Sequence, residues 1–118
     1  MSSTATPTRE ALEAEIKSEI TQNKILIYAK GTKTSPRCGF TMGTVQFFNQ
    51  LGYPFELVDA LEQPEKRALL NELYDWQTLP KIFINGEFYG DLDIINEMIA
   101  SGEFDEVLAK AFPDGKPA

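Results

Sequence analysis

Cys38 is the only cysteine in a chain of 118 residues, and the segment around it has the make-up of a reactive loop, not of a core. From Lys30 to Thr41 there are three bases (Lys30, Lys33, Arg37), four hydroxyls (Thr32, Thr34, Ser35, Thr41), two glycines and Pro36; Phe40 is the one strongly apolar side chain. A lone cysteine among apolar neighbours behaves as a small buried hydrophobe, whereas these neighbours predict an accessible thiol. A strand-like run, Lys24 to Ala29, precedes the loop, and a helical pattern follows it, with Met42, Val45, Phe48 and Leu51 on one face. Cys38 is therefore expected at a strand-to-helix crossover. The unpaired N–H groups of a first helical turn, with Lys30 and Arg37 nearby, favour the thiolate, which is both the nucleophilic and the metal-binding form.

Composition narrows the chemistry. With no histidine, a Ser-His-Asp triad, a Cys-His dyad and a zinc site with histidine ligands are excluded. One cysteine forbids an intrachain disulfide and a Cys-x-x-Cys exchange cycle. The stretch from Met1 to Asn23 carries Glu10, Glu13, Glu15 and Glu19 and lacks an apolar h-region, which speaks against a signal peptide and an organellar presequence. No run approaches membrane-spanning length. A soluble cytoplasmic protein is expected, in a reducing compartment where a free thiol persists. The formal charge of −7 argues against general nucleic-acid binding. It is unevenly spread: Thr21 to Phe55 holds no acidic residue and carries +4 from Lys24, Lys30, Lys33 and Arg37, leaving −11 for the remainder. A small anion would be drawn to the cysteine, although Lys33 and Arg37 are equally readable as solvated loop charges.

The elements that must position the thiol follow from periodicity and punctuation. A helix is expected from about Arg9 to Ile20, with Leu12, Ile16 and Ile20 on one face. Ile25 to Tyr28 reads as a buried strand, Thr41 to Gln50 as a helix closed by Gly52, and Phe55 to Val58 as a second strand. Pro64 opens a further helix through Tyr74. Lys81 to Ile84 and Glu87 to Tyr89 are strands joined by Asn85-Gly86, a strong hairpin signal. Helices from about Leu92 to Ala100 and from Phe104 to Phe112 complete the chain. A strand-helix-strand unit implies parallel pairing. The order α-βαβ-α-ββ-αα thus predicts a thioredoxin-like α/β fold: a four-stranded mixed sheet flanked by helices, with an extra N-terminal helix. One domain is expected over 1–118, with its core at about 24–112 and loose ends at 1–8 and 113–118.

At this point the chain resembles the monothiol glutaredoxins of the Cys-Gly-Phe-Ser type, from Lys24 to Phe112. The residues that carry the resemblance are Lys30-Gly31-Thr32, Pro36-Arg37-Cys38-Gly39-Phe40, Trp76-Gln77-Thr78-Leu79-Pro80 against the family's Trp-Pro-Thr-x-Pro, Asn85-Gly86-Glu87, and Gly90-Asp91-Leu92-Asp93 against Gly-Gly-x-Asp. Three positions depart from the pattern: Thr41 replaces serine, Gln77 replaces the first proline and Asp91 replaces the second glycine. The resemblance implies that Cys38 is the reactive thiol and cluster ligand. It implies that Lys30 and Arg67 hold the glycyl carboxylate of glutathione, Arg67 matching by its spacing to Trp76. Thr78, Leu79 and Pro80, with Pro80 in the cis form, would meet the cysteinyl part; Leu92 and Asp93 would meet the γ-glutamyl end. Read without the resemblance, Arg67 is an ordinary helix residue, Asp93 a helix cap and Trp76 a packing residue. If glycine at position 91 uses a positive φ, aspartate adopts it at a cost of about 1 kcal/mol, so Asp91→Gly is expected to tighten glutathione.

Two chemistries suit one thiol. Cys38 either takes glutathione from a glutathionylated protein as a mixed disulfide that a second glutathione resolves, or it ligates iron. A 2Fe-2S cluster takes four thiolate ligands, so others must come from outside. The resemblance implies a homodimer in which two chains and two glutathiones hold the cluster, used for iron-sulfur transfer to acceptor proteins or iron sensing, and a heterodimer with a BolA-like partner. Seven residues between Lys30 and Cys38 set the chain apart from dithiol relatives and rank cluster carriage above reductase activity, which is expected to be weak at most. A glutathione-binding regulatory module without turnover is the third reading.

Overall fold

The structure, a computed structural model, describes residues 7–117; residues 1–6 and 118, part of the ends expected to be loose, lie outside the described residues. Helix α1 is Arg9–Gln22, strand β1 Ile25–Ala29, α2 Gly39–Leu51 and β2 Glu56–Asp59. After a 3-10 turn at Ala60–Glu62 come α3 Pro64–Tyr74, β3 Lys81–Ile84, β4 Glu87–Gly90, α4 Leu92–Ser101 and α5 Glu103–Ala111. The sheet order is β2-β1-β3-β4, with β1 parallel to β2 and antiparallel to β3, and β3 antiparallel to β4. This is the thioredoxin-like arrangement expected, with α1 as the additional N-terminal helix.

All five residues of β1 are buried, as an uninterrupted apolar strand between two helical layers must be. Its side chains alternate between two cores. Ile25, Ile27 and Ala29 join Phe48 of α2, Ile95 of α4 and Phe104 and Leu108 of α5. Leu26 and Tyr28 join Ile16 and Ile20 of α1, Leu69 and Leu70 of α3 and Phe83 of β3. Asn85 and Gly86 have φ of 55° and 83°, the paired positive values of the hairpin turn the dipeptide predicts. Gly52 closes α2 at φ 85°, its N–H donating to the Phe48 carbonyl.

Two details differ from expectation. Helix α2 begins at Gly39, two residues early, and its buried stripe is Thr41, Thr44, Val45 and Phe48, while Met42 is 48 % exposed. Both threonine hydroxyls are hydrogen-bonded, Thr41 Oγ1 accepting from the Lys30 N–H and Thr44 Oγ1 donating to the Phe40 carbonyl, which offsets the cost of burying them. The 3-10 turn was not foreseen. It is set by Asp59, whose Oδ1 accepts from the N–H of Leu61 and of Gly31, each at 3.0 Å, so the end of β2 also anchors the loop after β1.

Candidate functional site

The loop between β1 and α2 folds back on itself. Arg37 N–H donates to the Lys30 carbonyl at 2.9 Å and Thr32 N–H to the Ser35 carbonyl at 3.1 Å, which closes the seven-residue gap between Lys30 and Cys38. Gly31 makes this possible: its φ is 95°, and a Cβ there would lie 2.5 Å from the Ser35 carbonyl oxygen and 2.6 Å from Arg37 N. Lys33 has a structural task, its ammonium donating to the Phe55 carbonyl and lying 4.1 Å from the Phe55 ring centroid. Of the bases weighed for the thiol, Lys30 lowers it by its charge.

Cys38 is the N-cap residue of α2, half-buried, with extended φ −160° and ψ 163°. Its Sγ lies 3.4 Å from Thr41 Oγ1, one helical turn on. Since that hydroxyl accepts the Lys30 N–H at 3.2 Å, it keeps its own hydrogen for the sulfur. This hydrogen bond is the largest influence holding the thiol below its ordinary range; backbone N–H groups of Thr41 and Phe40 and the charge of Lys30 add to it, and desolvation opposes it. Thr41, one of the three departures from the family pattern, thus hydrogen-bonds the thiol directly. Its position three residues into the helix after the cysteine is the signal that points to it.

Beside the thiol, a cleft of about 370 Å³ runs from Gly39, Phe40, Gly43 and Thr44 on α2 to Thr78, Leu79 and Pro80, and ends at Asp91, Leu92 and Asp93. Five of the expected site residues therefore line one cavity, next to Cys38. The Leu79-Pro80 bond is cis, as expected. Lys30 and Arg67 do not line the cleft: Lys30 follows β1, Arg67 sits on α3, both are half-buried, and among the described residues neither forms an ion pair. Trp76 stacks edge-on against Phe88 at 5.7 Å, a packing contact.

The expectation for Asp91 is corrected. Its φ is −120°, ordinary extended backbone, and its Oδ1 accepts from the Ile94 N–H at 3.3 Å as the N-cap of α4. Position 91 stores no strain. The glycine requirement falls one residue earlier, at Gly90, with φ 79° and Ile94 and Trp76 atoms 3.1–3.2 Å from where a Cβ would sit. Asp91, and not the exposed Asp93, is also the helix cap. Gln77, in the place of the first proline, is exposed and donates from Nε2 to the Asn71 carbonyl at 3.4 Å.

A thioredoxin-like sheet with a single thiol at a helix N-terminus beside a cis-proline cleft defines a class of thiol-based redox proteins. Residues 25–89 match the family model for glutaredoxin. An uncharacterised ycf64-like monothiol glutaredoxin of Synechocystis is 42 % identical over 84 % of this chain and 92 % of its own. Glutaredoxin 4 of Pasteurella multocida is 41 % identical over 80 % and 87 %. Among solved structures, reduced apo GrxS14 of poplar superposes with a TM-score of 0.76 at 39 % identity, covering 88 % of this chain and 95 % of that one. A buckwheat glutaredoxin solved as its glutathione complex shares the fold, with a TM-score of 0.75 at 22 % identity over 89 % and 96 %. The chain belongs to the glutaredoxin family, and its single cysteine and its relatives set it among the monothiol members. Among the described residues, no helix is long and apolar enough to cross a membrane.

Proposed function

We propose that this protein binds glutathione in the cleft and that two copies, with two glutathiones, carry a 2Fe-2S cluster for transfer to acceptor proteins. The observation that carries the reading is a thiol lowered from its ordinary range by the Thr41 hydroxyl, next to a cleft lined by the cis-proline loop and the start of α4. Glutathione is an extended, anionic tripeptide. The Thr78-Leu79-Pro80 segment would meet its cysteinyl backbone, and Leu92 and Asp93 at the start of α4 its γ-glutamyl end. Lys30 and Arg67, without carboxylate partners among the described residues, would take the glycyl carboxylate where it extends beyond the cleft's lining. So bound, the ligand's sulfur and Cys38 Sγ would lie on the same rim.

The donor set fits a share of a cluster and no more. Among the described residues no group of three metal-ligating side chains exists, and one thiolate is a quarter of what a 2Fe-2S centre takes. The cluster, as cargo, would accept Cys38 and the glutathione thiolate from each of two chains. A BolA-like partner would substitute its own ligand for one of these, and any histidine ligand must be the partner's. A reducing compartment, the cytoplasm, suits such a thiol.

The lowered Cys38 thiol also favours a second reading, thiol exchange. The thiolate attacks the glutathione sulfur of a glutathionylated protein, the protein's thiolate leaves, and a free glutathione thiolate then displaces Cys38 to give glutathione disulfide. Titration with glutathione tests the shared site. Lys30→Gln and Arg67→Gln are each expected to weaken binding by about tenfold to a hundredfold, from loss of a charged hydrogen bond; wild-type affinity in both would remove the assignment. Anaerobic loading with iron and sulfide then separates the readings: a red-brown dimer that forms only with glutathione supports carriage, and strong turnover by colourless monomer supports exchange.

A further inference from the structure

We propose that Lys81 is a positioning residue of the glutathione site: its buried ammonium holds the Thr78 carbonyl inward and so turns the Leu79 N–H out into the cleft, toward the ligand's cysteinyl carbonyl. The inference rests on the glutathione reading above. Lys81 opens β3 and has no solvent exposure. Its Nζ donates to Asn71 Oδ1 at 2.5 Å and to the Thr78 carbonyl at 3.0 Å, both neutral acceptors. Asn71 is in turn fixed by the end of α3, where its carbonyl accepts the Trp76 N–H at 3.2 Å. One ammonium therefore ties together α3, the loop after it and the first residue of β3.

Peptide geometry carries that restraint to the cleft. The carbonyl of Thr78 and the N–H of Leu79 belong to one planar unit, and across a trans bond they point in opposite directions. Of the X-Pro and other bonds described, only Leu79-Pro80 is cis. Pinning the carbonyl on the interior side thus aims the Leu79 N–H the other way, and Leu79 lines the cleft. That N–H has no backbone acceptor among the described residues. Pro80 has no N–H to offer, so Leu79 supplies the donor nearest the proline.

The ammonium also places a positive charge behind the loop that no carboxylate among the described residues neutralises. Arg67 of α3 is the charged group that acts on it. Tyr28, opposite Lys81 on β1, donates its hydroxyl to Glu19 of α1, and Lys66 of α3 is paired with Glu15 and Glu19. No carboxylate pairs with Lys81 among the described residues. Burial, with the like charge of Arg67, pushes its ammonium down to about 8. An anionic ligand in the cleft favours the protonated form. Affinity for glutathione is therefore greatest below that value and declines as pH rises through it.

The test uses S-methylglutathione, whose blocked sulfur removes thiol exchange from the readout, titrated calorimetrically into wild type, Lys81→Met and Asn71→Asp from about pH 6.5 to about 9.5. The ligand's own amine titrates in that range, but identically for all three proteins. Lys81→Met is expected to bind about tenfold more weakly at neutral pH, to shift the Leu79 amide resonance in the free protein and to lose the step near pH 8. Asn71→Asp, which gives Lys81 an anion, raises the affinity of the ammonium for its proton and moves the step upward. Wild-type affinity in folded Lys81→Met, or a step that survives the substitution, overturns the role of Lys81 alone. Should Lys81→Met fail to fold, an unmoved step in Asn71→Asp overturns it equally, and absence of binding by the wild type takes down the glutathione site and this role with it.

Discussion

Lys66 and Lys81 are each at most 1 % exposed and share one face of the sheet, yet Lys66 reaches Glu15 and Glu19 whereas Lys81 reaches only the Asn71 side-chain oxygen and the Thr78 carbonyl. The Lys66 cluster is closed: Glu19 Oε2 is 2.8 Å from Lys66 Nζ, and its Oε1 accepts the Tyr28 hydroxyl at 2.5 Å. It bolts the additional helix α1 to α3 and β1. The region around Lys81, Arg67 and Lys30 is open, its cations lacking carboxylate partners among the described residues in a chain with 18 acidic and 11 basic residues. What sets Lys81 apart from the other bases without a carboxylate partner among the described residues is its complete burial, met by two neutral acceptors where Lys66 has two carboxylates.

The contrast breaks first, and by most, at the closed site. Lys66→Met should destabilise the fold by about 3 kcal/mol in denaturant unfolding, since it strands a partly buried Glu19, while affinity for S-methylglutathione stays within about twofold. A loss of affinity like that of Lys81→Met would erase the distinction. The open site should respond to pH with the opposite sign in stability and in binding. Because the Lys81 ammonium is pushed down to about 8 from 10.5, the unfolded chain holds more protons between those values, and stability rises with pH across that window. Relative to Lys81→Met, the wild type should gain roughly 1 to 3 kcal/mol on going from the lower to the upper end, while its glutathione affinity falls. A flat difference in unfolding free energy would contradict it.

Much of this was legible beforehand. The apolar run of β1, the Asn85-Gly86 hairpin, the Gly52 stop and Pro64 at the start of α3 are local signals, and each element formed within a residue or two of expectation. What escaped depends on contacts distant in sequence. Thr41 and Thr44 replace Met42 on the buried stripe of α2, and for Thr41 the compensating hydrogen bond comes from Lys30, eleven residues away. Lys81 reads as an ordinary strand-opening lysine until α3 and the cis-proline loop are folded over it. The positive φ attributed to position 91 belongs to Gly90, a one-residue shift that no propensity resolves because both sites of a double-glycine motif look alike.

Two smaller effects sharpen the comparison. Thr41→Val removes the hydrogen donated to Cys38 and should slow iodoacetamide alkylation several-fold at neutral pH, whereas Thr41→Ser should not; equal rates in all three would return Thr41 to packing. Asp91 resembles Lys66 in being satisfied by the fold. Asp91→Ala should cost about 1 kcal/mol of stability and Asp91→Gly a few tenths, with no tightening of glutathione, and calorimetry together with unfolding checks both.

The central claim is that the cleft and the thiol act as one ligand set, with glutathione completing what a single cysteine begins. It is tested most directly by counting. After anaerobic loading and gel filtration, iron, sulfide, protein and tightly held glutathione are measured in the coloured fraction. The account predicts two chains and two glutathiones for each 2Fe-2S unit, with no coloured fraction from Cys38→Ser. A stable cluster in Cys38→Ser, or one in wild type stripped of glutathione and other small thiols, would contradict it.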